Sequence, residues 1–268
     1  MVLRHVTQIQ ILHIRLNLEH EIKVHRRTTL ESLRYLHIER AHEESDEFPP
    51  SLHIYDVLRQ APKIHTLVIQ ITRLSWSLGS GELGNVKSLK LVNTVVKPEF
   101  LEKILESCPQ LESFVFIFSK KIAGIVGCFK GLTNLETLIL GGAGFRFEEA
   151  ENYKPFKTCL VDLLPQSIRR VAIDSERMSL HEPISALGEA VKWGAFPMLK
   201  EVRCYHWEFG SWANLERRST GPSVTRQEAE DRGDVDKSSR DLLSQLSRTC
   251  NVSFSAETKG LFEHDAGS

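Results

Sequence analysis

A short apolar phrase, two large apolar residues three apart and a third two further on, recurs along this chain. It reads Val6, Ile9, Ile11, then Leu33, Leu36, Ile38, then Ile64, Leu67, Ile69 and Val86, Leu89, Leu91. It continues as Leu111, Phe114, Phe116, as Leu135, Leu138, Leu140, as Ile168, Val171, Ile173 and as Leu199, Val202, Cys204. The first residues of successive phrases lie 27, 31, 22, 25, 24, 33 and 31 residues apart. One match to such a phrase carries little information. Eight at similar spacing predict repeated strands, each presenting alternate residues to opposite faces.

The segments between the phrases carry a helical period. Ile54, Val57, Leu58 and Ala61 fall at i, i+3, i+4 and i+7, as do Ile122, Ile125, Val126 and Phe129. Phe156, Cys159, Leu160, Leu163 and Leu164 add the i+8 position. Each set places an apolar stripe on one helical face. Pro98 suits the first turn of a helix carrying Phe100, Leu101, Ile104 and Leu105, because its missing N–H is not needed there. Ile184, Leu187 and Val191 mark another helix. One strand–helix pair is too small to bury its own apolar face, and stacking the pairs closes a continuous core.

The expected fold is therefore α/β, a leucine-rich-repeat solenoid of the ribonuclease-inhibitor-like horseshoe kind, with irregular repeats of 22–33 residues. The competing reading is an ordinary α/β domain with unrelated strands. In the solenoid the phrase letters point inward and the residues between them form a concave sheet surface. Those residues are Gln10, His37, Val68, Lys90, Val115, Ile139, Ala172 and Arg203. One strand step further on stand Leu12, Glu39, Gln70, Val92, Ile117, Gly141, Asp174 and Tyr205.

Two segments break the rhythm. His42 to Pro50 is acidic and ends in two prolines, which predicts a surface loop. Residues 216–237 are rich in Arg, Asp, Glu, Ser, Thr and Gly, which predicts a mobile or disordered insertion. The organisation read from the chain is a solenoid over 1–215, this insertion, a last helix–strand unit over 238–256 and a tail over 257–268. Leu242, Leu243 and Leu246 carry that last helix, and Cys250 to Phe254 its strand. The pattern starts almost at Met1 without a polar cap, which terminal repeats normally need. Two expectations follow: a longer parent protein, or a first strand protected by a partner.

Composition narrows the function classes. The 268 residues are 41% hydrophobic, which suits a folded chain, and 34 basic against 35 acidic residues leave a net charge of −1. That balance removes the bulk electrostatic argument for nucleic acid or an anionic membrane as partner. No apolar stretch approaches the roughly 18 residues of a membrane span, and no signal peptide is readable. Cys108, Cys128, Cys159, Cys204 and Cys250 are scattered without a CxxC pair, which fits reduced thiols in the cytoplasm or nucleus.

Motifs for chemistry fail on context. Gly79, Gly81 and Gly84 match the letters of a dinucleotide fingerprint, but a repeat strand follows where a helix is needed. Gly141, Gly142 and Gly144 read as a tight strand exit. The eleven histidines form no helical metal motif, and Cys204 with His206 lacks a second ligand pair. No nucleophile elbow, kinase signature or P-loop is present. The expectation is a non-catalytic chain with no cofactor and no metal.

The middle repeats place Val92, Val115, Ile117 and Ile139 where a solvated strand would carry polar side chains. Lys90, Arg170 and Arg203 flank them, and Tyr205 opens an aromatic stretch with Trp207, Phe209 and Trp212. An apolar centre with a polar rim is ordinary interface anatomy. The expected partner-binding residues are thus Lys90, Val92, Val115, Ile117, Ile139, Arg170, Arg203 and Tyr205. A segment of the same chain lying over the strip is the alternative.

The phrases Glu106-Ser-Cys-Pro-Gln-Leu-Glu-Ser-Phe-Val-Phe, Leu132-Thr-Asn-Leu-Glu-Thr-Leu-Ile-Leu and Phe196-Pro-Met-Leu-Lys-Glu-Val-Arg-Cys resemble irregular leucine-rich repeats. They are most similar to those behind the F-box of F-box proteins from filamentous fungi, over Val6 to Trp212. The resemblance implies a horseshoe that recruits substrates to an SCF-type ubiquitin ligase. No F-box precedes the repeats in this chain, so an SCF adaptor is implied as a partner only with an upstream segment. The asparagine usual at the repeat turn is mostly replaced, with Thr94 and Ala143 in its place. Without a coupling domain the expectation reduces to an orphan repeat protein; an α/β enzyme is a third reading.

Overall fold

A computed structural model describes residues 2–3, 8–16, 23–24, 29–40, 55–70, 83–92, 94, 96, 98–118, 129–142, 160–174, 181–205 and 241–257. Its framework is one turn used seven times. The N–H of the first phrase residue donates to the carbonyl three residues back: Leu33 to Leu30, Ile64 to Ala61, Val86 to Leu83, Leu111 to Cys108, Leu135 to Leu132, Ile168 to Pro165 and Leu199 to Phe196. Each carbonyl belongs to a buried residue. The unit therefore has a fourth apolar letter that the three-letter phrase omits.

The turn hands the chain to the preceding unit. One carbonyl there receives two successive N–H groups: Gln10 from Arg34 and Tyr35, Arg34 from His65 and Thr66, His65 from Lys87 and Ser88, and Lys87 from Glu112 and Ser113. The pattern repeats at Glu112, Glu136 and Arg169. Side chains reinforce it, as Asn85 Nδ2 donates to the Pro62 carbonyl at 2.8 Å and Asn134 Nδ2 to that of Pro109 at 3.0 Å.

The strands that follow are β2 (Ile11–Leu16), β4 (Tyr35–Arg40), β5 (Thr66–Gln70), β6 (Ser88–Val92), β7 (Ser113–Phe118), β8 (Thr137–Gly142), β9 (Arg170–Asp174), β10 (Glu201–Tyr205) and β11 (Ser253–Glu257). They form one nine-stranded sheet, ordered β11-β10-β9-β8-β7-β6-β5-β4-β2, with every pairing parallel. Strands β1 (Val2–Leu3) and β3 (Lys23–Val24) form a separate parallel pair. Parallel neighbours need a crossover on one face. Among the described residues these carry helices α1 (Tyr55–Gln60), α2 (Pro98–Glu106), α3 (Leu160–Leu163), α4 (His181–Lys192) and α5 (241–250). The architecture is α/β, built on one open nine-stranded parallel sheet.

Phrase letters and helix stripes share one core. Leu36, Ile38, Leu67, Ile69, Leu89, Leu91, Phe114, Phe116, Leu138 and Leu140 are fully buried together with Val57, Leu58, Leu101, Ile104, Leu160 and Ile184. Phe114 packs its ring against Phe116 and Phe129, with centroids 5.7 and 5.6 Å away. Helix α4 ends where Gly194 takes φ +80°, a conformation that costs glycine least. There the N–H of Gly194 meets the Val191 carbonyl and that of Ala195 the Ala190 carbonyl, the Schellman arrangement that closes a helix. No described helix is long and apolar enough to cross a membrane.

Two readings from the sequence are corrected. Ladder register pairs Leu12 with Leu36 and Ile14 with Ile38, so the first unit is Ile9, Leu12, Ile14 and not Val6, Ile9, Ile11. The two differ by three residues, an odd number, and this exchanges the faces. Leu12 is accordingly buried, Ile11 is 71% exposed, and His13 takes the surface place assigned to Gln10. At the other end Val202 pairs with Phe254, so the last strand begins at Ser253 and not at Cys250. The expected loop at His42–Pro50, insertion at 216–237 and helix at Ile122–Val126 lie outside the described residues, as do Cys159 and residues 258–268.

Candidate functional site

Opposite the core lies a second sheet face with three rows of side chains. The first runs Ile11, Tyr35, Thr66, Ser88, Ser113, Thr137, Arg170, Glu201. The second runs His13, His37, Val68, Lys90, Val115, Ile139, Ala172, Arg203. The third begins Arg15, Glu39, Gln70, Val92, Ile117, Gly141. Apart from the exposed Ile11, the face is polar at its first strands, apolar in its middle and charged toward β10.

All eight residues proposed from the sequence occupy alternate strand positions on this face. Lys90, Arg170 and Arg203 are exposed, and Val92 and Ile139 partly so. Val115 (7%), Ile117 (6%) and Tyr205 (6%) are buried, yet none belongs to the main core. Within the expected apolar strip, Val115 and Ile117 are thus buried while Val92 and Ile139 remain partly open. Neighbouring strands stand about 4.8 Å apart, and Val115 has Lys90 on one side and Ile139 on the other. Residues 206–212, with the rest of the aromatic stretch and His206, are outside the described set.

The arginines at the charged end are already engaged. Glu201 Oε1 accepts from Arg203 Nε and Nη2, both at 2.7 Å, while Arg170 Nε stands 3.8 Å from Oε2. Hydrogen bonds to Glu201 and then to Tyr205 hold the Arg203 proton more tightly than usual.

At the polar end is a cluster that sequence reasoning missed. His13 and His37, paired across β2 and β4, stack with centroids 4.1 Å apart and planes 10° from parallel. Glu39 places Oε2 3.6 Å from His13 Nε2, and its Oε1 lies 3.4 Å from Arg15 Nε. His37 Nε2 is buried without a hydrogen-bond partner. Burial lowers the His37 pKa, the nearby His13 and Lys90 add to this, and Glu39 opposes it. The sequence signal was the alternation in β2, hidden by the displaced first phrase.

An open depression of about 420 Å³ at the strand starts is lined by Glu112, Glu136, Ser167 and Arg169. Its groups are engaged in joining units: Ser167 Oγ donates to the Leu135 carbonyl at 2.8 Å, and Arg169 Nε stands 3.3 Å from Glu136. Cys204 lies in the core, not on the surface, and burial pushes its thiol up to about 12, as it does that of Cys108. Of the glycine triplet, Gly84 sits in the turn before β6, and Gly79 and Gly81 lie outside the described residues.

No protein-family model matches this chain, and a search of curated proteins finds no match to it.

Proposed function

We propose that this chain is an irregular leucine-rich-repeat solenoid acting as a non-catalytic interaction module, with a protein partner held against the concave sheet face. One observation carries the reading: the nine strands of the main sheet follow one another in chain order, and seven of them, β4 to β10, are entered through the same repeated turn. Such stacking yields a long continuous surface, the common use of repeat architectures. On it Ile139 and Val92 supply the accessible apolar contacts, with Lys90 beside them. Val115 and Ile117, buried on the same face, stand between them. Substrate recruitment to an SCF-type ubiquitin ligase is the finer reading. It rests on the resemblance of the repeat phrases alone and requires an F-box upstream.

The test is cross-linking mass spectrometry on the full chain in its native extract, beside Ile139→Asp and Lys90→Glu. The expected result is one partner cross-linked to β6–β8 in the wild type and lost from both variants, with thermal unfolding still cooperative. Lys192→Glu, on α4 and away from this face, retains it. Absence of a specific partner, or binding indifferent to both substitutions, overturns the reading and leaves an orphan repeat protein.

A further inference from the structure

We infer that His13, His37 and Glu39 form a site for a divalent transition-metal ion of the zinc class. The ligand atoms these residues offer, two imidazole nitrogens and a carboxylate oxygen, all lie within 4.8 Å of one another. Their placement follows from the sheet. The β2–β4 register sets His13 directly beside His37, and strand alternation returns Glu39 to the same face two residues later.

Three features distinguish this cluster from a chance meeting of polar side chains. First, His37 Nε2 is buried with no partner, a costly state for an imidazole nitrogen that metal coordination relieves. Second, the cross-strand register holds the two imidazole rings side by side, so that a nitrogen of each lies within 4.8 Å of the other. Third, Arg15 engages Glu39 Oε1, while Oε2 faces His13. A neighbour that orients a ligating carboxylate is a regular feature of metal sites.

The donor set selects the ion. Two nitrogens and one carboxylate suit Zn²⁺, Ni²⁺ or Cu²⁺, whereas Mg²⁺ and Ca²⁺ take oxygen ligands. With Zn–N bonds near 2.0–2.1 Å, ligand atoms around one tetrahedral ion stand about 3.3 Å apart. Closure from the present spread requires the stacked rings to turn out of their parallel arrangement, and His13, 52% exposed, is the one with room to do so. Three protein ligands leave one position for water. Arg15 and Lys90 are the nearby cations and weaken the site without blocking it.

Isothermal titration of the full chain with ZnCl₂, and with CaCl₂ as comparison, tests the assignment. The Co²⁺-loaded protein's visible absorption reports coordination independently. One Zn²⁺ per chain is expected, with no Ca²⁺ binding. His13→Ala is expected to weaken Zn²⁺ binding at least tenfold, and Glu39→Gln about tenfold or more. His65→Ala, an exposed histidine outside the cluster, leaves it unchanged. His13 and Glu39 are outside the core, so both variants remain folded by circular dichroism even where a His37 variant does not. Zinc binding that survives both His13→Ala and Glu39→Gln, or no zinc binding in the wild type, overturns the site.

Discussion

The hydroxyl of Thr94 lies 3.3 Å from the carbonyl of Ile69 and 2.9 Å from that of Val92, joining the exits of two neighbouring strands from a fully buried position. One buried hydroxyl thus ties the end of β6 to the end of β5. Thr94→Val keeps the shape and removes the one hydroxyl proton that the two carbonyls share, the nearer being that of Val92. The expected loss is about 1–3 kcal/mol in urea denaturation. Thr94→Ser, which retains the hydroxyl, is expected to lose less than half of that.

The register of the first strand makes a paired prediction. Leu12 is buried and Ile11 is 71% exposed. Leu12→Ala is expected to destabilise by about 2 kcal/mol, the low end for buried leucines because an edge strand can settle into the space. Ile11→Ala should change stability by less than about 0.5 kcal/mol. The opposite order in equilibrium unfolding would return the strand to the other face.

Helix α5 docks on α4 at Gly188. A β-carbon placed there would collide with the side chain of Leu246, and the Gly188 carbonyl stands 3.3 Å from Cys250 Sγ. Gly188→Val therefore forces the Leu246 side chain aside and, since Leu246 is buried, loosens the seat of α5. Overpacking of this kind costs about 1–3 kcal/mol. Hydrogen exchange is the sensitive measurement: amides of β11 should exchange faster, while those of β5 to β8 keep their protection.

Two buried thiols predict alkaline behaviour. Cys108 and Cys204 ionise ordinarily at 9.0, and burial raises both to about 12. Between these values the folded chain holds protons that the unfolded chain releases. Their contribution is complete below pH 9 and falls as pH rises, by about 1.4 kcal/mol per pH unit for each thiol. Urea denaturation at pH 8 and pH 10 should show a steeper loss for the wild type than for Cys108→Val with Cys204→Val. In the folded state a thiol reagent should leave both unlabelled.

Much of the scaffold was legible because its letters answer to two periods. Leu67, Ile69, Leu89 and Leu91 obey strand alternation, and Leu101, Ile104 and Leu105 the helical repeat, and both sets enter one core. The first unit was misread because Ile9 serves two overlapping phrases, Val6-Ile9-Ile11 and Ile9-Leu12-Ile14. Only pairing with Leu36 and Ile38 decides between them. Val115 and Ile117 were assigned to the correct alternating set, but their burial depends on neighbouring rows that no single phrase displays. The histidine cluster was hidden for a related reason. His13 and His37 meet on adjacent strands 24 residues apart, while ligand motifs are read from spacings of two to five.

The consecutive strand order has a mechanical consequence. In the main sheet, each strand hydrogen-bonds only to its immediate neighbours, from β2 at one margin to β11 at the other. A molecule held by its two ends in an optical trap would carry tension along this series of contacts. It should yield at its weakest junction and release chain in successive lengths of one unit, in place of a single rupture. Each released length would measure the spacing of one repeat.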